Sequence, residues 1–356
     1  NQLIELAWHH RQRDTARALA WATRAQEVCP LNDDASAAAL SLHARAALVR
    51  AEAAWLVSDL APAEAAADEA EALFARAQDA IGQGDVCWLR ASLEASRGRS
   101  ECTAPRLQEA AGLYQRGGDP LREQLATLAQ LTGLALRDVA AAREGLRASG
   151  LDSAQPQHRS LTPWLELLRG CLLMQEGEAA RSLPHNMRAH EAALEFGLLR
   201  VAILTASNVG VQLLALNDAA SALDWQERAL RLARPTGWAT VIGTCSLHLC
   251  DALCALGRHE RALALINDAM PLFLEGTHAE AQAWLVKATV HRAMGHPAEA
   301  APCYDQALAR LTRLQAHQTA LEAQIGAIDV ALMLGQIDPA RRLCTAALAD
   351  ARRLGM

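Results

Sequence analysis

Metal-ligand residue types cluster once along this chain, as Cys245-x-x-His248-x-Cys250-x-x-x-Cys254. Thiolates and imidazoles in such a run could hold zinc or iron. On a helix of 3.6 residues per turn, however, Cys245 and His248 share one face and Cys250 and Cys254 share another about 100° around. One tetrahedral ion does not collect ligands from both faces. The four side chains read as small apolar fillers of a packed helix, and no metal is expected. A metal enzyme built on this cluster is the third-ranked function.

Other arrangements fall short of chemistry. His9-His10 reads as a surface pair, and neither His291 nor His185-x-x-x-x-His190 shows a convergent partner in sequence. Asp33-Asp34 reads as helix-cap chemistry. A phosphate-binding loop requires Gly-Lys, but the single lysine, Lys287, follows Val286. Neither Gly-x-Ser-x-Gly nor His-Glu-x-x-His occurs. No catalytic residue and no cofactor is expected.

Composition narrows the partners. Net charge is −6 without a basic patch, which argues against nucleic acid. No uncharged apolar stretch reaches membrane-spanning length. The nine cysteines are scattered and form no Cys-x-x-Cys, as buried free thiols of a reducing compartment do, so a cytoplasmic location is expected. The chain opens at Asn1 without a hydrophobic leader, and Ala351–Met356 ends a helix without a polar cap. Both ends are expected to continue in a longer protein.

The elements that position these residues are helices. Alanine and leucine with abundant Glu and Arg favour helix, and no long alternation of β-branched and aromatic residues reads as a sheet. From Leu199 onward the sequence repeats itself four times. Helix-like stretches end in turns at Asn217, Gly257, Gly295 and Gly335. Five residues later stand Ala222, Ala262, Ala300 and Ala340. Seven further on come Ala229-Leu230, Ala269-Met270, Ala307-Leu308 and Ala347-Leu348. A period of about 40 residues is that of a stacked-repeat solenoid. The small residues mark places where helices approach closely.

These residues resemble the tetratricopeptide repeat. Trp284, Lys287-Ala288, Gly295, Ala300, Tyr304 and Ala307 fill its template except at Lys287, and Asn208-Val209-Gly210 matches its first helix. The resemblance implies an all-α, right-handed superhelical solenoid of antiparallel helix pairs. At this period the chain holds about nine pairs.

The earlier chain fits the pattern more loosely. Turns are expected at Arg13, at Asp59-Leu60-Ala61-Pro62, at Gly98-Arg99 and at Gly133, with Asp138 capping the next helix. Ser149–Ser160 is the most loop-like segment, and Thr162-Pro163 restarts a helix in cap-then-proline order. Gly177–Pro184 reads as an overlong turn. The array therefore divides into a degenerate half, residues 1–154, and a regular half, residues 155–356, continuous with it.

The family lines its concave groove with the first helix of each pair. Carried over repeat by repeat, the groove positions fall at Glu52 and Trp55, Trp88 and Ser92, Glu123 and Thr127, and Arg169. They continue at Val211, Asp251, Thr289 with Arg292, and Asp329. The lysine, asparagine and arginine that chaperone-binding members use to clamp a terminal carboxylate have no counterparts at these positions. The long period and endings such as Leu232–Gly237 resemble the arrays of bacterial signalling proteins, including GGDEF diguanylate cyclases and LuxR- or MalT-like regulators. Gly117-Gly118-Asp119 continues as Pro120-Leu121, so it is turn chemistry and the cyclase signature is absent.

That resemblance implies a sensor-regulatory module that binds a protein, a peptide or a small ligand in the groove and acts on an output domain. The alternative is a free-standing scaffold that assembles other proteins.

Overall fold

The computed structural model describes residues 2–32, 34–152 and 158–353. Among them it contains eighteen α-helices and no strand. By packing, the chain forms two compact units, one of Asn1–Leu216 with Pro235–Trp238 and one of Asn217–Arg234 with Ala239–Met356.

In the first unit the helices are α1 (Gln2–His10) with α2 (Thr15–Val28), α3 (Ala37–Leu56) with α4 (Leu60–Ala77), and α5 (Ala80–Ser96) with α6 (Thr103–Gly117). They continue as α7 (Pro120–Ala135) with α8 (Val139–Ala148), α9 (Thr162–Gln175) with α10 (Ala179–Phe196), and α11 (Leu199–Ala215). The second unit holds α12 (Ala219–Ala233), α13 (Ala239–Ala255) with α14 (His259–Ala269), α15 (His278–Ala293) with α16 (Pro297–Arg313), and α17 (His317–Met333) with α18 (Ile337–Arg353). Within each unit every helix packs on its sequence neighbour.

One turn geometry sets this repeat. A left-handed residue follows the first helix of the pair at Ser58, Gly98, Gly177, Asn217, Gly257, Gly295 and Gly335. Such a residue frees the next amide to bond back to the helix end, as Arg258 N does to Leu253 O at 2.8 Å. The period read from the C-terminal half therefore runs from Ser58 onward, although the α7–α8 turn at Leu136–Asp138 has no left-handed residue. Ser58 and Asn217 adopt the conformation despite their side chains, which is why the first is faint in sequence.

Aspartate often closes the turn as the next helix's cap. Asp119 accepts from Arg122 N at 3.0 Å, Asp138 from Ala141 N at 2.9 Å and Asp218 from Ser221 N at 3.0 Å.

The repeated alanines are core. Ala222, Ala229, Ala262, Ala300 and Ala307 are fully buried, and Ala269, Ala340 and Ala347 nearly so. A larger side chain there would hold the helices apart. In the second unit, Tyr304 of α16 fills the space over Gly326 of α17, where a β-carbon would lie 2.3 Å from its hydroxyl.

Several expectations are corrected. Gly133 lies inside α7 and the turn comes at Leu136–Asp138, because Leu131 and Ala135 bury on the core and carry the helix on to the Asp138 cap. The Gly177–Pro184 turn is of ordinary length. It runs from Glu176 to Glu178 with Gly177 left-handed, and Pro184 sits in the second turn of α10, where burial of Ser182, Asn186 and Ala189 holds the helix through the lost hydrogen bond. The turn expected at Asp59–Pro62 comes at Val57–Asp59, and α4 already begins at Leu60. Thr162 is the first residue of α9 rather than its cap, since a short 3-10 turn at Arg159–Leu161 leads in. Ser36, not the Asp33-Asp34 pair, caps α3 through Ala39 N at 3.3 Å, and Asp33 lies outside the described residues.

The division expected at residue 155 likewise falls among the undescribed 153–157. On either side of it, Leu128, Leu131, Leu146, Leu161, Leu165, Leu168 and Leu172 form one core. No helix among the described residues is long and apolar enough to cross a membrane.

Candidate functional site

Helices α13, α15 and α17 are the first helices of three successive pairs, and their shared face opens into a cleft of about 310 Å³. Asp251, Thr289 and Asp329 stand at one repeat position on the three helices, and all three line it together with Arg292. Four of the groove residues expected from sequence are thus brought together. Two helical turns earlier on α15 and α17 stand Gln282 and Glu322, which also line the cleft. The sequence reading passed over both, although the same helical spacing extended by two turns reaches them. Leu247, Leu285, Val286 and Ile325 supply apolar wall.

Polar contacts fix part of this surface. Arg292 donates to Asp329 Oδ2 at 2.9 Å and to the Tyr304 hydroxyl at 3.2 Å, while the Thr289 hydroxyl lies 3.4 Å from the latter. Tyr304 is buried, so Arg292 is braced from below and neutralised from the side. Asp251 and Glu322 have no hydrogen-bond or ion-pair partner among the described residues. Enclosure between the helices, reinforced by the Glu322 charge, pushes the Asp251 carboxyl up to about 7. By accessible surface, however, Asp251 is exposed, as is Glu322. That exposure limits any burial penalty, so the upward direction and the repulsion behind it are what matter.

The candidates of the first unit meet a different fate. Glu52 is buried and receives Arg11 and Gln12, each at 2.7 Å, so it anchors α1 and its following turn to α3. Trp55 is buried, donates to Ser96 Oγ at 2.9 Å, and carries the Arg200 guanidinium 4.0 Å over its ring. Trp88 packs edge-on to Trp164 at 5.8 Å. The Ser92 and Thr127 hydroxyls bond back to Trp88 O and Glu123 O within their own helices. Glu123 and Val211 are half-buried on α7 and α11.

Arg169 pairs with Glu166 at 2.7 Å and Asp152 at 3.0 Å. The buried Glu166 also takes Arg188 at 2.7 Å and His185 at 2.9 Å, so His185 has the convergent partner that its sequence setting did not show. Sequence reading also missed Asp85, buried and hydrogen-bonded by Arg45 and by the Tyr114 hydroxyl. Its hydrogen-bond partners come from two other helices, α3 and α6, and no local spacing announces them.

The cysteine–histidine run lies along α13 as packing. Cys245 and Cys250 are buried, and Cys250 Sγ donates to Ala262 O at 3.4 Å. Burial pushes the Cys245 thiol up to about 12 and Cys254 up to about 11. Protonated thiols are poor ligands and poor nucleophiles. Among the described residues no group of three or more His, Cys, Asp or Glu side chains is disposed to hold a metal ion.

With this geometry in hand, comparison with known proteins is informative. Residues 244–313, which include most of α13 and all of α14 to α16, match the tetratricopeptide repeat family. That stretch is similar to the tetratricopeptide repeat in sequence as well as in helix pairing. No curated protein sequence matches the chain.

Among solved structures, a Rap protein complexed with competence and sporulation factor aligns with 99% of this chain and 97% of its own at a TM-score of 0.61 and 13% identity. Aspartyl phosphate phosphatase F from Bacillus subtilis aligns with 98% of this chain and 93% of its own, with a TM-score of 0.56 and 11% identity. A signal transduction ATPase with numerous domains from Pyrococcus horikoshii, which carries a tetratricopeptide repeat sensor, aligns with 97% of this chain at 0.54 and 13% identity. The chain spans 53% of that protein. NprR in complex with its cognate peptide NprX gives 0.52, at 13% identity, over 98% and 96% of the two chains. These likenesses establish a shared tetratricopeptide-type fold.

Proposed function

We propose that this chain is a regulatory tetratricopeptide-type module that binds a peptide or an extended protein segment in the cleft of α13, α15 and α17. The carrying observation is the convergence of Asp251, Thr289, Arg292 and Asp329 on one open cleft with apolar walls. Mixed polar and apolar lining on rigid helices is what an extended ligand requires. The solved complexes of a Rap protein with its factor and of NprR with its peptide support the reading by analogy of fold.

The finer reading is a sensor region acting on an output domain, as in GGDEF cyclases or LuxR- and MalT-like regulators. The STAND protein supports it, since there a tetratricopeptide sensor accounts for part of a longer chain. A free-standing scaffold is the second reading, favoured by the near-complete coverage of the Rap structure. The concave-face candidates of the first unit enter this proposal as supports of the array rather than ligand contacts.

The test is co-purification from native cells followed by mass spectrometry, comparing the wild type with Thr289→Trp and Asp251→Arg. A partner retained by the wild type and lost from both variants supports the cleft. A partner indifferent to both removes it.

A further inference from the structure

The carboxylates in the cleft identify the class of side chain it selects. Arg292 is the only arginine or lysine lining it among the described residues, and it is already committed to Asp329 and Tyr304; His248 also lines it, and burial lowers its pKa, away from the charged form. That leaves Asp251 of α13 and Glu322 of α17, two exposed carboxylates that line the same cleft and have no hydrogen-bond or ion-pair partner among the described residues. Two like charges held across a cleft are a cost to the empty protein. A cation between them converts that cost into two charge-assisted hydrogen bonds.

The surroundings fit a long basic side chain rather than a bare ion. Leu247, Leu285 and Ile325 line the same cleft, and an aliphatic stem of lysine or arginine type covers apolar surface while its head stays solvated. The available volume, about 310 Å³, takes one such side chain with flanking backbone.

Resting on the cleft reading above, we propose that Asp251 and Glu322 form a specificity pocket for a lysine or arginine side chain of the bound peptide, with Leu285 and Ile325 bracketing its stem. Gln282, Thr289 and Thr319 are disposed around it as donors and acceptors for the peptide backbone.

The test uses pools of blocked hexapeptides, one central position fixed in turn as lysine, arginine, norleucine or glutamate and the others randomised. Binding to the intact chain is measured by fluorescence anisotropy. Norleucine keeps the stem and removes the charge. The lysine and arginine pools are expected to bind the wild type about tenfold more tightly than the norleucine pool. The preference is expected to vanish in Asp251→Asn/Glu322→Gln and to be weakened in each single variant. These neutral near-isosteres sit on water-accessible positions, and an unchanged thermal midpoint confirms folding.

A norleucine or glutamate pool that binds the wild type as well as lysine overturns the basic specificity and leaves the cleft standing. A lysine preference that survives the double variant overturns the assignment to these two residues. Failure of every pool to bind the wild type overturns both the specificity and the cleft reading.

Discussion

The Arg200 guanidinium of α11 lies 4.0 Å over the indole of Trp55 on α3, although three helix pairs, α5–α6 to α9–α10, lie between them in sequence. The same indole donates to Ser96, and Glu52 one turn earlier holds Arg11 and Gln12. Arg13 adds hydrogen bonds to the carbonyls of Phe196 and Gly197 at the end of α10. The first helix pair is thus tied to the fifth pair, and α3 to α11, inside one unit. Burial lowers the Arg200 pKa against the opposing charge of Glu52. These contacts use the first unit's groove positions for the fold itself.

Trp55→Ala therefore removes packing as well as the stack, and a loss of about 3–5 kcal/mol in urea unfolding is expected. A double-mutant cycle with Arg200→Ala isolates the stack, with a coupling of roughly 0.5–2 kcal/mol. A coupling near zero would show that the two side chains merely adjoin.

Arg13→Ala is expected to change global stability little, because the contacts are exposed. It should instead raise hydrogen exchange selectively in α1 and α2, the elements it fastens. Uniform exchange along the unit would contradict a local tether.

Glu166 gives the first unit an acid-sensitive joint. Burial raises its pKa, but hydrogen bonds from Arg169, Arg188 and His185 outweigh burial and leave it below the ordinary value of 4.5. A depressed carboxyl stabilises the fold fully above its unfolded pKa and loses that contribution as pH falls through the folded one. Glu166→Gln is expected to lower stability at neutral pH and to flatten the pH dependence below about 4.5. Circular-dichroism melts at stepped pH measure both; an unchanged acid limb would assign the acid sensitivity elsewhere.

The cleft carboxyl of Asp251 carries the opposite sign. Asp251 is raised to about 7, so any stability from this group is present below its unfolded pKa and declines as pH rises towards 7. Glu322→Gln removes one cause and should bring the Asp251 midpoint down, read by the carboxyl-carbon shift in an NMR titration. No movement of that midpoint would separate the two residues.

Gly326→Ala probes the support beneath the cleft. The new methyl group would meet the Tyr304 hydroxyl at 2.3 Å, displacing the group that braces Arg292. A loss of about 1–3 kcal/mol is expected, as for other overpacked sites. Full stability in thermal unfolding would mean that Tyr304 yields freely.

Much of this fold is legible in the residues because a repeat states it several times. The turns at 217, 257, 295 and 335 and the alanines behind them depend on local geometry and close helix approach, which fix residue type directly. Gly133 misled because burial of Leu131 and Ala135 on either side offsets the cost of about 1 kcal/mol for a helix-interior glycine, and Pro184 misled because packing of α10 carries the helix through one lost bond. The cleft was half legible. Asp251, Thr289, Arg292 and Asp329 follow from helical register. The vacancy of Asp251 and Glu322, and the occupation of Glu52, Trp55 and Arg169, depend on side chains from distant helices that no spacing reveals.

The most direct measurement is hydrogen exchange by mass spectrometry on the wild-type chain, with and without the tightest peptide recovered from the pools. Protection concentrated in 247–251, 282–292 and 319–329 is the expected result. Protection confined to α14, α16 and α18, or to the first unit, would contradict a binding cleft on α13, α15 and α17.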